Sequence, residues 1–322
     1  MRKILAIDGG GIKGVVPAAF IAGVEAALGG RLADYFDLIA GTSTGGIIAL
    51  GLGFGLSGAE ILRFYDELGP AVFPAQCGGD FLRRLRGAKY DPAPLRRALE
   101  ATFGDQLLGT SGKRLVIPSL NLETGKVHIY KTAHHPKFEF DYKARVVDVA
   151  LATSVAPTFF PPHHSAEGIP LIDGGMWANN PTGLAVVEAL GVLGWPREEL
   201  RVLSLGCVTE PPRGGPTRRR EAGPGLGYWG TRIVDMFMTA QEHASLGTAY
   251  VLVGHEHVLR ISPHVGRGRF SLDGTREIAA LRGLGAAEAR EQMPRIRDMF
   301  CAAPAQSFEP FRRVEDVSPR SV

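Results

Sequence analysis

Ser43 stands in Gly-Thr-Ser-Thr-Gly, residues 41–45, two places from a glycine on either side. The G-x-S-x-G pattern suits a serine on a sharp strand-to-helix turn, with its hydroxyl thrown out over the end of a sheet. Glycines there relieve clashes between strand and helix, and the helix N-terminus favours negative charge developing nearby. The neighbours fit, with an apolar run at 36–42 and the glycine-rich stretch GGIIALGLGFG after the motif. The same letters also describe a plain turn in which Ser43 caps the helix, and the pentapeptide alone leaves both readings open. Ser57, in GLSG, lacks the preceding strand.

A second group is Asp-Gly-Gly-Gly-Ile-Lys-Gly, residues 8–14. Consecutive glycines between a strand and a helix let backbone N–H groups converge on one spot, where an oxyanion or a phosphate can sit. Gly9, Gly11 and Gly14 also spell G-x-G-x-x-G, the dinucleotide fingerprint. That alternative needs an acid closing the second strand, and Asp34 and Asp37 fall before it. Lys13 is either a charge at a helix start or a cation that holds the loop and draws an anionic head group. The third group is Leu-Ile-Asp-Gly-Gly-Met-Trp-Ala-Asn-Asn-Pro, 171–181, where Asp173 ends a strand before two glycines. An aspartate there is an ordinary turn residue. Chemistry in open parallel sheets also gathers beyond the carboxyl ends of strands, so loop, serine and aspartate are expected to meet at one crevice.

Taken in order, DGGGIKG, GTSTG, ATSVAPTFFPPH (152–163) and DGGMWANNP resemble the patatin-like phospholipase family. The likeness runs from about residue 4 to 190, with VLSLG (202–206) a further echo. The resemblance implies a three-layer α/β/α fold on a mainly parallel sheet. It implies a Ser–Asp dyad, Ser43 as nucleophile and Asp173 as general base. The oxyanion hole would come from backbone N–H groups at Gly10 and Gly11, with Gly9 a third candidate. The implied activity is phospholipase-A-type hydrolysis of fatty acyl esters of glycerophospholipids through an acyl-enzyme, with no metal and no cofactor. Some bacterial members resemble anti-phage effectors that degrade membrane lipid on binding a cyclic oligonucleotide, so a cyclic nucleotide activator is an expectation too. The contrasting expectations are a Rossmann-type nucleotide module on Gly9, Gly11 and Gly14, and a catalytically silent binding protein.

Elementary chemistry alone would choose histidine as the base, since its unperturbed pKa of about 6.5 is better matched than a free carboxylate's 3.9. His243, His255, His257 and His264 follow Asp173 in the chain order of an α/β-hydrolase triad. Burial can raise an aspartate into the useful range, and the dyad expectation rests on that. For a metal, His255 and His257 would share one face if HEH formed a strand, but no third ligand is near in sequence and no H-E-x-x-H occurs.

The elements that must position these groups alternate strand and helix. Strands are predicted at 3–8, 36–42, 113–121, 126–131, 168–173 and 201–205. Helices are predicted near 58–69, 92–103, 145–153, 181–193, 229–247 and 274–288, besides one after each of the first two motifs. Val16, Phe20, Val24 and Leu28 give the first helix an apolar stripe, and Asn180-Pro181 reads as a helix start. Leu38–Leu56 holds no charge over nineteen residues, but its six glycines favour strand, turn and helix over a membrane span. Residues 209–227 read as a loop, 74–90 as a candidate lid, and Phe159 and Phe160 as packing that could wall an acyl pocket. One patatin-like domain is expected over 1–304, with a loosely attached tail at 305–322.

A chain of 322 residues, 45% hydrophobic and 21% charged, is long enough for a large core. A net charge of +3 is too small to point to a nucleic acid polymer. Phe81–Tyr90 groups Arg83, Arg84, Arg86 and Lys89 with apolar residues, either a solvated face or a surface for transient contact with anionic membrane lipid. Three widely spaced cysteines, Cys77, Cys207 and Cys301, fit a reducing, cytoplasmic setting, and no signal peptide is read at the N-terminus.

Overall fold

The computed structural model describes residues 1–74, 87–211 and 226–314. Its strands are β1 (Arg2–Ile7), β2 (Leu38–Gly41), β3 (Arg114–Asn121), β4 (Val127–Lys131), β5 (His163–His164), β6 (Pro170–Asp173), β7 (Leu200–Leu205) and β8 (Val258–Ile261). Its α-helices are α1 (Val15–Leu28), α2 (Thr44–Gly53), α3 (Gly58–Val72), α4 (Ala93–Phe103), α5 (Val146–Ser154), α6 (Gly175–Ala178), α7 (Thr182–Gly191), α8 (Leu226–Val253) and α9 (Ile278–Phe300).

Strand alternation sorts the side chains into two cores. Leu5, Ile7, Ile39, Leu115, Ile117, Leu203, Leu205, Leu259 and Ile261 face a large core with α1–α5 and α9. Ile4, Leu38, Ala40, Val116, Val202 and Val258 face a smaller one under α7 and α8. Apolar residues at both parities leave the central strands covered on both faces, and three layers result. Gly11–Leu28 is long and apolar enough to cross a membrane, but 56% of it is buried inside the domain. Val15 to Ile21 are all buried, not only one stripe, because α1 is wedged among the sheet, α3 and α9.

The sheet runs β5-β6-β3-β2-β1-β7-β8, with β4 on the other edge of β3. The five strands from β3 to β8 along that path are parallel, while β4 and β6 are antiparallel to β3. One edge of β3 is shared: β2 pairs with Arg114–Val116, and β6 comes from the opposite direction to pair with Ser119–Asn121. The two strands point at each other along one edge. Asp173 therefore does not reach the crevice from a parallel strand end, as the sequence suggested, but from a strand running back toward it.

Several expectations shift here. HEH at 255–257 is a 3-10 turn, not a strand, so His255 and His257 do not share a strand face. The helix read at 229–247 extends over Leu226–Val253, and the strands β5 and β8 and the short α6 were not anticipated. The N-cap of α7 is Pro181, one residue later than read, and Asn180 Oδ1 just before it accepts from the Thr182 N–H at 2.9 Å. The tail is tied down as far as described. Ala305 N–H donates to Asp34 O and Phe311 N–H to Ala133 O, and Lys3 Nζ donates to Phe300 O at 2.9 Å. Most of the candidate lid and basic cluster (75–86), Cys77, 212–225 of the expected loop and 315–322 of the tail lie outside the described residues.

Candidate active site

Ser43 occupies the turn between β2 and α2 with φ 55° and ψ −123°, a left-handed backbone rare for a side-chain-bearing residue. Such a conformation costs on the order of 1–3 kcal/mol and persists only where its surroundings enforce it. Here they do. The Ser43 N–H donates to Thr153 Oγ1 at 3.0 Å, and Thr153 Oγ1 donates to Pro118 O at 2.6 Å. Gly45 lets α2 start against the end of β1, since a Cβ there would lie 2.2 Å from Ile7 O. Ser43 does not cap α2 through its side chain. Ser57 does cap α3, accepting from the Glu60 N–H while the Glu60 carboxylate accepts from the Ser57 N–H.

Asp173 closes β6 opposite Ser119. Ala40 pairs with Val116, so Ser43, three residues further on, arrives level with Ser119 and with Asp173. The Ser43 Oγ–H donates to Asp173 Oδ2 at 2.6 Å. Asp173 Oδ1 accepts from the Gly175 N–H at 2.7 Å. The end of α5 braces both partners, because Val155 O accepts from the Asp173 N–H and Thr153 O from the Gly174 N–H. The carboxyl is raised from 3.8 to about 6, because burial outweighs the hydrogen bonds from Ser43 and Gly175.

The glycine loop lies alongside. Its N–H groups divide into two sets. Asp8 N–H donates to Leu205 O, Gly9 N–H to Asn179 O and Ile12 N–H to Leu272 O. The N–H groups of Gly10 and Gly11 donate to nothing among the described residues. Gly9 is thereby removed from the three candidate anion donors, and Gly10 and Gly11 stay open. Lys13 is neither free nor fully exposed, standing 3.7 Å from Glu210 Oε1.

No histidine touches Ser43 or Asp173 among the described residues. His134 bonds Glu188 at 3.0 Å, His163 stands 3.4 Å from Asp148, and His255 stacks on Tyr250. Phe159 and Phe160 pack with Phe73 and Tyr90 in an aromatic cluster. The dinucleotide alternative loses its footing, since Gly9 is occupied and the second strand leads into Ser43, not an acid.

Sequence reasoning passed over Thr153 and Asn179, both inside motifs that it had singled out. Their signal was a polar residue in an otherwise small and apolar block. It also passed over Arg260, which lies in no motif and had none.

The chain belongs to the patatin-like phospholipase family, whose family model matches residues 5–186. A cGAMP-activated phospholipase of Pseudomonas aeruginosa is 37% identical over 247 residues, spanning 74% of this chain and 72% of that protein. A cGAMP-activated phospholipase of Vibrio cholerae is 34% identical over 263 residues, 74% of each chain. Patatin-like protein 2 of Arabidopsis thaliana is 34% identical over 282 residues, 74% of this chain and 68% of that one. Among solved structures, VipD from Legionella pneumophila shares the fold with a TM-score of 0.51 at 13% identity, covering 93% of this chain and 67% of its own.

Proposed function

We propose that the protein hydrolyses fatty acyl esters of glycerophospholipids with Ser43 as nucleophile and Asp173 as its base. The observation that carries the reading is the 2.6 Å hydrogen bond from Ser43 to a buried carboxylate, set beside two open N–H groups. Ser43 Oγ attacks the ester carbonyl carbon as its proton passes to Asp173. The carbonyl oxygen becomes an oxyanion, held by the Gly10 and Gly11 N–H groups. Collapse expels the lysophospholipid alkoxide, which takes the proton from Asp173 and leaves Ser43 acylated. Water, deprotonated by Asp173, then releases the fatty acid and restores the serine. A carboxylate at about 6 is a better base for this work than an exposed aspartate, and the oxyanion donors supply the remaining stabilisation.

Gating by a cyclic nucleotide is part of the proposal. It is supported by relatives named cGAMP-activated phospholipases. The proposal places the enzyme in the cytoplasm, in transient contact with a membrane surface.

The test is fatty-acid release from mixed phospholipid vesicles, with and without cGAMP, by wild type, Ser43→Ala and Asp173→Asn. Release that needs both side chains supports the reading. Release that survives either substitution, or none from wild type under both conditions, overturns it.

A further inference from the structure

Asp8 stands two residues before the first open donor of the glycine loop, and its side chain is held by Arg260. It meets Arg260 face to face: Nη1 donates to Oδ1 at 3.0 Å and Nη2 to Oδ2 at 2.5 Å. The guanidinium also donates to Ser204 Oγ at 2.9 Å and Glu242 Oε1 at 2.7 Å, and both side chains of the central pair are nearly buried. A planar fork with two parallel bonds fixes direction as well as distance, which a lysine's point charge does not.

The path of this side chain is built into the sheet. Ser204 pairs with Ala6 on one side and Arg260 on the other, so Arg260 must reach across β7 to touch the residue after β1. Gly206 makes the crossing possible, because a Cβ there would stand 2.6 Å from Arg260 Nη2. The backbone on either side of Asp8 is pinned as well, by Asp8 N–H to Leu205 O and Gly9 N–H to Asn179 O. The next two N–H groups are the open ones.

We infer that Arg260 is a positioning residue for the oxyanion hole: by clamping Asp8 across β7 it aims the Gly10 and Gly11 N–H groups at the reacting carbonyl. This inference rests on the hydrolase reading above and extends it to residues outside the stretch that matches the family. Arg260 touches neither substrate nor the reacting atoms. Its effect is on the geometry of groups that stabilise the transition state, where a displacement of about 1 Å lowers the rate about a hundredfold. Uniform binding of the lipid does not depend on it, so kcat falls and KM holds.

Three full-length variants test this: Arg260→Gln, Arg260→Lys and Gly206→Ala, the last altering no charge and adding one methyl against both the guanidinium and Ser262. Two readouts are taken, amide hydrogen exchange of the segment 8–14 and ester hydrolysis per serine titrated with a fluorophosphonate. Expected are faster loop exchange in all three and kcat per titrated site down about a hundredfold for Gln and about tenfold for Lys, with KM within about twofold. Gly206→Ala is expected between wild type and Gln. A variant that loses titratable sites while each surviving site works at the wild-type rate shows a structural role alone and overturns the inference. So does unchanged loop exchange. If wild type hydrolyses no ester, the hydrolase reading fails by itself, and loop exchange still judges Arg260, faster exchange supporting the clamp and unchanged exchange overturning it.

Discussion

Two buried aspartates end two strands beside the same crevice, and they are furnished in opposite ways. Asp8 has a guanidinium across both of its oxygens, with Glu242 behind. Asp173 has only a serine hydroxyl and one backbone N–H. Burial raises both carboxyls to about 6, Asp8 even with the Arg260 guanidinium pulling it down, so the two differ in what they touch and not in where they titrate. A carboxylate locked to a cation holds a shape. One left with neutral donors can take up and return a proton. The difference between the proposed anchor and the proposed base lies in the company each keeps, not in depth or residue type.

The contrast can be broken most directly at the serine. Ser43→Ala should lower lipid hydrolysis about 10⁴-fold or more, measured as fatty-acid release. Activity within tenfold of wild type would remove the reason for distinguishing the two carboxylates.

Asp173→Asn should be similarly inactive yet more stable than wild type at pH 8. The folded carboxyl titrates near 6 against 3.8 unperturbed, so the stability that it contributes is fully present below 3.8 and lost as pH rises through 6. Asparagine escapes that loss, by up to about 3 kcal/mol for about two pKa units. Thermal melts should separate at pH 8 and converge below pH 4. Asp8→Asn removes a carboxyl raised just as far, which relieves up to about 3 kcal/mol at pH 8. It also strips the buried Arg260 guanidinium of its main charged partner, at a cost of about 3–5 kcal/mol. The net change should be destabilising by about 1–2 kcal/mol, with Glu242 and Ser204 left as partners. Melting shifts of the same sign for both variants would erase the comparison.

The wild-type pH profile sharpens it further. kcat/KM should fall about tenfold per unit below pH 6 as Asp173 becomes protonated. The smallest effect is expected from the histidines. His243→Gln and His264→Gln should stay within about twofold of wild type, and a dead variant among them would put a triad in place of the dyad.

How much of this could be read from the sequence follows from range. Ser43, Asp173 and the glycine loop were legible because an elbow and a glycine turn are local devices, written in adjacent letters. Of the three candidate donors, Gly9 is taken up by Asn179, 170 positions away, while Gly10 and Gly11 have no partner among the described residues. The strands β1, β2, β3, β6 and β7 were found within a residue or two because burial produces apolar runs, and the more exposed β4 was found as closely without that signal. Strand direction was not legible. The letters of Pro170–Asp173 are the same whether that strand runs with β3 or against it. Nor could spacing reveal Arg260, whose partner lies 252 residues earlier and two strands away.

The shared edge of β3 has a consequence for how the protein comes into being. Ser43 and Asp173 meet only because β2 and β6 stop at adjoining places along one strand, and a slip of one residue would turn Asp173 to the opposite face. A growing chain that has made the elbow, the glycine loop and β3 still holds a serine without its base. On the proposed dyad, hydrolysis requires β6 in register beside β2, so activity itself would report that this edge of the sheet has closed correctly.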